Sequence, residues 1–448
     1  MLFRPTLLSA CALISLSACQ TNPAALHASN KVSPLLVTYA DMATEAYGAA
    51  LLDAEQLQQV IAEFSDHPDD DGLQKAKNAW LASRESYGLT EVFRLTNGPI
   101  DAEQGWVADA YGALEGQINA WPLDENLIDY TIDAEGRQTS GNIIDSSGLF
   151  KPGGVDASNF DVSQITAELL GQLNENGGDA NVASGYHAIE FLLWGQDQDY
   201  ASFSRDSISN GALTAGQRPL SDFTTAAHAD RRLQYLRAAS SKLVADLGRV
   251  NLAWNRQFSS DCESDARGCY RAALLQQLEG SDSSKNIDEK TALRQIISGM
   301  GVFIKSELAN ERIAVAVLTP SEEDEHSCFS DNTHRDISLN YQGFVDLLKG
   351  SRNAAAVQHS FYQNSSSETR ARLDELISSI DQKIQRMNDL ASSRWHFDYQ
   401  ILPGNNDREI RKMKNEMRKL GDEMVAVAAD LGLSLSQGDV TDAEETRI

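Results

Sequence analysis

A short run of glycine, histidine and glutamate contains side chains suited to holding a metal ion. The run reads Gly185-Tyr186-His187-Ala188-Ile189-Glu190. His187 and Glu190 are three positions apart, so on a helix they project from one face and could share an ion. In an apolar helix this spacing also fits a buried hydrogen-bonded pair. The motif alone leaves metal binding and core packing open.

A second group of acidic residues and histidines follows more than a hundred positions later. Glu307 and Glu311 are one α-helical turn apart, and Arg312 could balance a buried carboxylate. The alternative for the two glutamates is a solvated helix face. The next part of the group comprises Glu322, Glu323, Asp324, Glu325, His326, Cys328, Asp331, His334 and Asp336.

Each member of this later part also has an ordinary structural explanation. The acidic run 322–325 fits a solvated loop. Asp331, His334 and Asp336 precede an apolar run and fit helix capping. Cys328, beside His326, could be a ligand or a free thiol, but a buried inert cysteine is the simpler interpretation.

The elements that must position these residues are helices. Residues 220–319 and 321–402 contain no proline, and apolar residues recur there at helical spacing. Strand-like alternation is hard to find. Further helices are predicted at 34–65, 72–95, 104–120, 160–174, 181–194, 336–349, 366–392 and 405–431.

The fold class predicted from this pattern is all-α, arranged as two packed helical, four-helix-like bundles. The polar loop ending at Pro219 is the best place for a boundary, which gives bundles at 34–218 and 219–436. Residues 437–448 are predicted to be a polar tail.

The N-terminus predicts export and lipid attachment. Residues 1–18 carry one basic residue and a short apolar run, which is typical of a signal peptide. Leu16-Ser17-Ala18-Cys19 resembles the bacterial lipobox, in which the cysteine is lipidated. Residues 19–33 would then be a tether, and Gln20 after Cys19 implies the outer membrane. The face that displays the protein, periplasmic or external, stays open.

Three cysteines remain once Cys11 and Cys19 are assigned to the leader and the lipid. Cys262 and Cys269 close a short loop and are the best pair for a disulfide in an oxidising compartment, although the sequence cannot fix the connectivity.

Composition excludes several classes of protein. The chain of 448 residues has 65 acidic and 38 basic residues and a net charge of -27, so it would repel nucleic acid. Its 42% hydrophobic residues and 23% charged residues are typical of a globular protein.

Several of these motifs together resemble the imelysin family, in its branch of iron-regulated protein A lipoproteins. The resemblance rests on the run 185–190, on Glu307-Leu308-Ala309-Asn310-Glu311-Arg312 and on residues 324–334. It extends to a segment that contains Arg84, Glu91 and Arg94, and it covers most of residues 35–430. It implies two packed helical bundles with the histidine and glutamate near their interface, and a role in bacterial iron acquisition. Members are also classified as metallopeptidases.

Two neighbouring ligands rarely suffice for tight metal binding, so we expect distant side chains to join the first pair. The expected metal ligands are His187, Glu190, Glu91, Glu307, Glu311 and His334. The expected supporting residues are Gly185, Arg84, Arg94, Arg312 and Asp331.

Iron binding is favoured over catalysis. A zinc peptidase needs three protein ligands, an open position and a base, and the sequence has neither H-E-x-x-H nor H-x-x-E-H, because Phe191 follows Glu190. A ferritin-like di-iron site would place Glu before His and repeat the pair. Carboxylates and imidazole suit iron, while zinc and haem stay open as ligands. Expected partners are a metal ion or iron complex, the outer membrane and other iron-uptake components. A surface scaffold is the third alternative.

Overall fold

The structure is a computed structural model that describes residues 32–133, 135–197, 215–318, 325–350 and 354–443. The predicted signal peptide, Cys19, most of the tether and the acidic run 319–324 lie outside the described residues. No described helix is both long enough and apolar enough to span a bilayer.

Helices dominate the described chain, as the sequence predicts. The helices before residue 220 are α1 (Pro34–Asp66), α2 (Asp70–Tyr87), α3 (Gly105–Tyr111), α4 (Glu115–Ile118), α5 (Glu125–Ile128), α6 (Ala167–Leu173) and α7 (Gly185–Trp194). Those that follow are α8 (Ser221–Thr224), α9 (Ala229–Ala253), α10 (Cys269–Leu274), α11 (Glu289–Val302), α12 (Ala316–Leu318), α13 (Thr333–Lys349), α14 (Ala354–Gln358), α15 (Ser367–Ser393), α16 (Phe397–Ile401), α17 (Asp407–Asp422) and α18 (Met424–Asp430).

Other elements are short, apart from one π-helix at Phe303–Val315. Among the described residues, 3-10 turns lie at Glu91–Phe93, Gly280–Lys285 and Gln437–Val440. Within the described residues, paired strands are limited to β1 (Leu149–Phe150) and β2 (Phe160–Asp161), which are antiparallel. The all-α prediction is therefore confirmed.

The long helix α1 is the centre of the first half of the fold. Ser33 caps it by accepting a hydrogen bond from the Leu35 amide, and Pro34 starts it without losing a needed donor. Its buried face packs on α2 and α9. Thr44 donates to the carbonyl of Trp254 over 2.8 Å, which fixes α1 beside the end of α9.

This packing does not follow the predicted boundary between residues 218 and 219. Helix α9 lies after the boundary but packs along α1, and the buried apolar side chains form one core that includes both Leu35 and Val440. The division into bundles 34–218 and 219–436 therefore cuts through a packed group of helices. Local periodicity does not reveal that α9 returns to α1.

The second half packs α15 and α17 against α13 and the π-helix. Helix α17 buries Ile410, Met413, Met417 and Leu420, a spacing of three to four residues that gives it one apolar face.

Two further predictions can be compared with the described chain. Cys262 and Cys269 form a disulfide with a sulfur–sulfur distance of 2.07 Å, as expected. Within the predicted polar tail, Gln437, Gly438, Asp439 and Ala443 are exposed, but Val440 is fully buried against Gly301 of α11. One apolar residue among polar neighbours was too weak a signal to predict this.

Candidate functional site

The Gly-x-His-x-x-Glu run forms the first turns of α7, and every residue of that helix is buried. Gly185 has a φ of +86°, and a Cβ at this position would lie 2.5 Å from the carbonyl oxygen of Ile118. Glycine therefore lets α7 begin against the end of α4. The carbonyl of Tyr186 accepts a hydrogen bond from Trp80 over 2.9 Å, which attaches α7 to α2.

His187 and Glu190 form the hydrogen-bonded pair that their spacing allows. Nδ1 of His187 lies 2.9 Å from Oε2 of Glu190. The other carboxylate oxygen, Oε1, accepts from the amide of Ser330 over 3.0 Å and from its hydroxyl over 2.6 Å. The loop before α13 thus holds the glutamate, and the glutamate holds the imidazole.

A second histidine, His326, is held in the same manner. Its Nδ1 lies 2.9 Å from Oδ2 of Asp336, in the first turn of α13. Asp336 also accepts from Ser327 and from Arg84, whose Nε and Nη2 lie 3.1 and 3.0 Å from Oδ1. Arg84 donates through Nη1 to Asn119 over 2.6 Å, which connects α2, α4 and α13.

The two imidazole rings meet each other in the core. Their centroids are 4.6 Å apart with an interplanar angle of 77°, and His187 and His326 are 1% and 2% exposed. Within the described chain, neither Nε2 atom has a hydrogen-bond partner. An imidazole with Nδ1 on a carboxylate and Nε2 open is the arrangement of histidines that ligate metals.

The protonation states of the Glu190–His187 pair and the Asp336–His326 pair differ. Burial lowers the pKa of His187 well below its usual range, and burial together with the charge of Arg312 lowers that of His326 to about 4, so both rings are neutral. Burial raises the pKa of Glu190 to about 8. Burial also opposes ionisation of Asp336, but Arg84, His326 and Ser327 outweigh it and hold its pKa well below the usual range.

These states decide which nitrogen carries the proton. An ionised Asp336 accepts from Nδ1–H of His326, so Nε2 of that ring presents a lone pair. The Glu190–His187 pair retains one additional proton at neutral pH, because the carboxyl is protonated below about pH 8. That proton must leave before His187 can offer its Nε2 lone pair with Nδ1–H held by a carboxylate.

Glu91 and Glu307, which were expected as metal ligands, lie instead in a buried ion cluster. Arg312 donates through Nη2 to Glu91 over 2.6 Å and to Glu307 over 2.9 Å. Nη1 of Arg94 lies 3.4, 2.9 and 3.2 Å from carboxylate oxygens of Glu91, Glu307 and Glu115. Burial opposes ionisation of Glu91, but Arg312 and Arg94 outweigh it and lower its pKa to about 2.

The other expected ligands also lie away from the histidine pair. Glu311 is exposed, and on the π-helix Arg312, five positions after Glu307, donates to that glutamate. Nδ1 of His334 lies 3.1 Å from the carbonyl of Asp331, which has a φ of +59°. Across the described residues, no three or more His, Cys, Asp or Glu side chains are placed to hold one ion. The six expected ligands therefore do not form one site.

The residues that complete the pair are His326 and Asp336, neither of which was among the expected ligands. The nearby cluster of two histidines was a signal, but His334 was taken from it as the expected ligand instead of His326. Only the fold shows that His326 meets His187, because 139 positions separate them in the sequence.

Comparisons with known proteins agree with this fold. An iron-regulated protein A from Synechococcus elongatus is 23% identical over 318 residues, which are 71% of this chain and 64% of that relative. The crystal structure of a protein described as an iron-regulated protein A precursor from Parabacteroides distasonis superposes with a TM-score of 0.57 at 17% identity. The match covers 89% of this chain and 94% of that one, and it supports the fold alone.

The family comparison covers most of the described residues. The family model for imelysin, peptidase family M75, matches residues 43–424. This span includes α7 with His187 and Glu190, and also His326, Asp336 and the ion cluster. The chain therefore belongs to the imelysin family.

Proposed function

We propose that this chain binds iron, as an ion or as a small complex, during bacterial iron acquisition. The observation that carries the proposal is the pair of buried imidazoles, His187 and His326, with Nδ1 on a carboxyl group and Nε2 without a partner among the described residues in both rings. Imidazole nitrogens suit ferrous and ferric iron. The name of the Synechococcus elongatus relative, iron-regulated protein A, supports a connection with iron.

Two nitrogen donors leave most positions around an iron ion to other groups. Water, or the oxygens of a small chelator carried with the iron, would occupy those positions. Glu190 and Asp336 would orient the rings, and Arg84 would keep Asp336 ionised. Binding would release the proton that Glu190 and His187 share.

The peptidase alternative receives less support. A zinc peptidase needs a third protein ligand and a general base beside an open position. In the described part of the chain, the nearest carboxyl groups, Glu190 and Asp336, are already hydrogen-bonded to the two rings and to serines.

Titration of the purified chain with ferrous iron under anaerobic conditions tests the proposal. His187→Ala and His326→Ala should each weaken iron binding by roughly 10-fold or more, because each removes one of two nitrogen ligands. His334→Ala is the matched control and should bind like wild type. If all three variants bind iron like wild type, the histidine pair is only a packed core contact. Parallel titrations with zinc and haem distinguish these ligands from iron.

We also propose that Cys19 carries lipid and anchors the protein to the outer membrane. The support is the lipobox-like sequence Leu16-Ser17-Ala18-Cys19. Cys19→Ser should move the protein from the membrane fraction to the soluble periplasmic fraction. A variant that still sediments with membranes contradicts the anchor without affecting the iron proposal.

A further inference from the structure

A small cleft beside Trp106 has an unusual lining for so acidic a protein. Its volume is about 150 Å³, and none of the described residues that line it is charged. The chain as a whole has 23% charged residues and a net charge of -27. The amides of Asn97, Gln104 and Gln295 line the cleft together with the indole of Trp106. A charged ligand would find no opposite charge among these residues.

The first wall of the cleft is the segment 95–97, which follows the 3-10 turn at Glu91–Phe93. Leu95 and Asn97 have φ values of +60° and +56°, and the amide of Leu95 donates to Asp101. A Cβ at Gly299 would lie 2.5 Å from the carbonyl oxygen of Leu95, so glycine lets α11 pack closely against this segment. The chain thus brings Asn97 beside α11.

Helix α11 and the residues just before it form the second wall. Ile287, Thr291 and Gln295 follow one another at intervals of four, which places them along one side of the helix. Their side chains are apolar, hydroxyl and amide, in that order. This wall therefore offers both an apolar contact and hydrogen-bonding groups.

Trp106 lies in α3 and is held by other aromatic rings. Its ring centroid is 6.4 Å from that of Tyr111 and 6.5 Å from that of Tyr270. It also packs against the small apolar cluster around the disulfide of Cys262 and Cys269. The indole is thus positioned by packing in the chain itself, and it is large enough to contact a ring-sized ligand.

The polar groups of the cleft are accessible and unused. Asn97 and Gln104 are exposed, and Trp106 and Gln295 are half-buried, so a ligand can reach them. Among the described residues, the three amides and the indole N–H have no hydrogen-bond partner. Each primary amide has two donors and two acceptor lone pairs. Such a set suits a ligand with several hydroxyls, since each hydroxyl can both donate and accept.

We propose that this cleft binds a neutral pyranose sugar unit. One face of a pyranose ring carries C–H groups, which pack on the negatively polarised face of the indole of Trp106. The hydroxyls around the ring exchange hydrogen bonds with the amides of Asn97, Gln104 and Gln295. The described lining residues include no member of the histidine pair or the ion cluster, so the sugar site is separate from the proposed iron site.

Titrations of the purified chain, followed by saturation-transfer NMR, test the class of ligand. The probes are the methyl pyranosides of glucose, galactose, mannose and N-acetylglucosamine. At least one should bind roughly 10-fold or more tightly than cyclohexanol, which keeps an apolar ring but has a single hydroxyl. Adenosine, which could stack on an indole, should also bind more weakly. Binding of none of the four pyranosides, or tighter binding of cyclohexanol or adenosine, overturns the proposal.

A double variant locates the site through its amides. Gln104→Ala/Gln295→Ala should weaken binding of the best pyranoside by roughly 10-fold, because two hydrogen-bonding groups are lost. Gln56→Ala/Gln172→Ala removes two exposed amides on α1 and α6 and should bind the sugar like wild type. Identical affinities for the two double variants overturn the location. Both should bind ferrous iron like wild type, which separates failure of this site from failure of the iron proposal.

Replacement of the indole tests the stacking contact. Trp106→Ala should weaken pyranoside binding by roughly 10-fold or more, because the ring loses its apolar contact. Trp395→Ala removes another partly exposed tryptophan and is the matched control. Equal sugar affinities for these two variants contradict the stacking. If Trp106→Ala does not fold, the probes and the double variants still decide.

Discussion

The histidine pair and the ion cluster are built from similar acidic residues but do different things with them. In the histidine pair, Glu190 and Asp336 each hold an imidazole, and the other ring nitrogen has no partner in the part of the chain that the structure describes. In the ion cluster, the carboxylates of Glu91 and Glu307 contact arginines. A carboxylate saturated by guanidinium groups is a poor ligand, because a metal ion would have to displace a charged partner.

The comparison of the histidine pair with the ion cluster shows that the role of a carboxylate depends on its partner. Next to a neutral imidazole, the carboxylate sets a tautomer and leaves the ring free to bind. Next to an arginine, it balances a buried charge and holds elements together. Asp336 contacts both kinds of partner, Arg84 and His326, and so connects the two modes.

The largest expected effect comes from breaking the ion cluster. Glu91→Ala should lower the free energy of unfolding by about 3–5 kcal/mol, because it leaves Arg312 and Arg94 buried with too few carboxylates. Urea denaturation measures this loss. The folded variant should bind ferrous iron like wild type. Normal stability together with a loss of iron binding would instead indicate that Glu91 is a metal ligand.

The next largest effect is expected at Asp336, which contacts both an arginine and an imidazole. Asp336→Asn keeps the shape but removes the charge that pairs with Arg84 and the acceptor that fixes His326. Iron affinity should fall by roughly 10- to 100-fold, as when groups that support a metal ligand are removed. Asp374→Asn changes a carboxylate that is half exposed, and serves as a control for the loss of a charge. An unchanged iron affinity would show that His326 does not depend on Asp336.

The sequence predicted the helical class well, because periodicity is a local property. Helix α1 was expected at 34–65 and runs over Pro34–Asp66, and α15 was expected at 366–392 and runs over Ser367–Ser393. The π-helix was not predicted, since its wider turn leaves no clear pattern in the apolar residues. It brings Arg312 into contact with Glu307, five positions away.

The site was less predictable than the fold, because a contact between distant residues leaves no local pattern in the sequence. His187 and Glu190 are neighbours on one helix, so their contact follows from spacing alone. The contact between His187 and His326 depends on how the loop before α13 packs on α7. Nothing local in the sequence distinguishes His326 from His334 in that respect.

Iron binding should depend on pH because of Glu190. Its pKa of about 8 means that the pair with His187 holds a proton below pH 8, and iron must displace that proton. Affinity should therefore rise by about 10-fold per pH unit between pH 6 and 8 and level off above. Anaerobic titrations with ferrous iron at several pH values measure the slope. Glu190→Gln should abolish it, and a slope that persists in that variant would assign the proton to another group.

The smallest expected effect is at Glu311, and it separates the two glutamates that the sequence placed together. Glu311 is exposed, although its carboxyl packs partly against the protein; this burial and the charge of Glu307 raise its pKa to about 7. Replacing it with glutamine removes that repulsion, so the free energy of unfolding at pH 7 should stay the same or rise. Glu307→Gln, which weakens contacts to both Arg94 and Arg312, should cost more. Equal losses in urea denaturation would mean that the arginine contacts of Glu307 contribute no more to stability than the exposed Glu311 does.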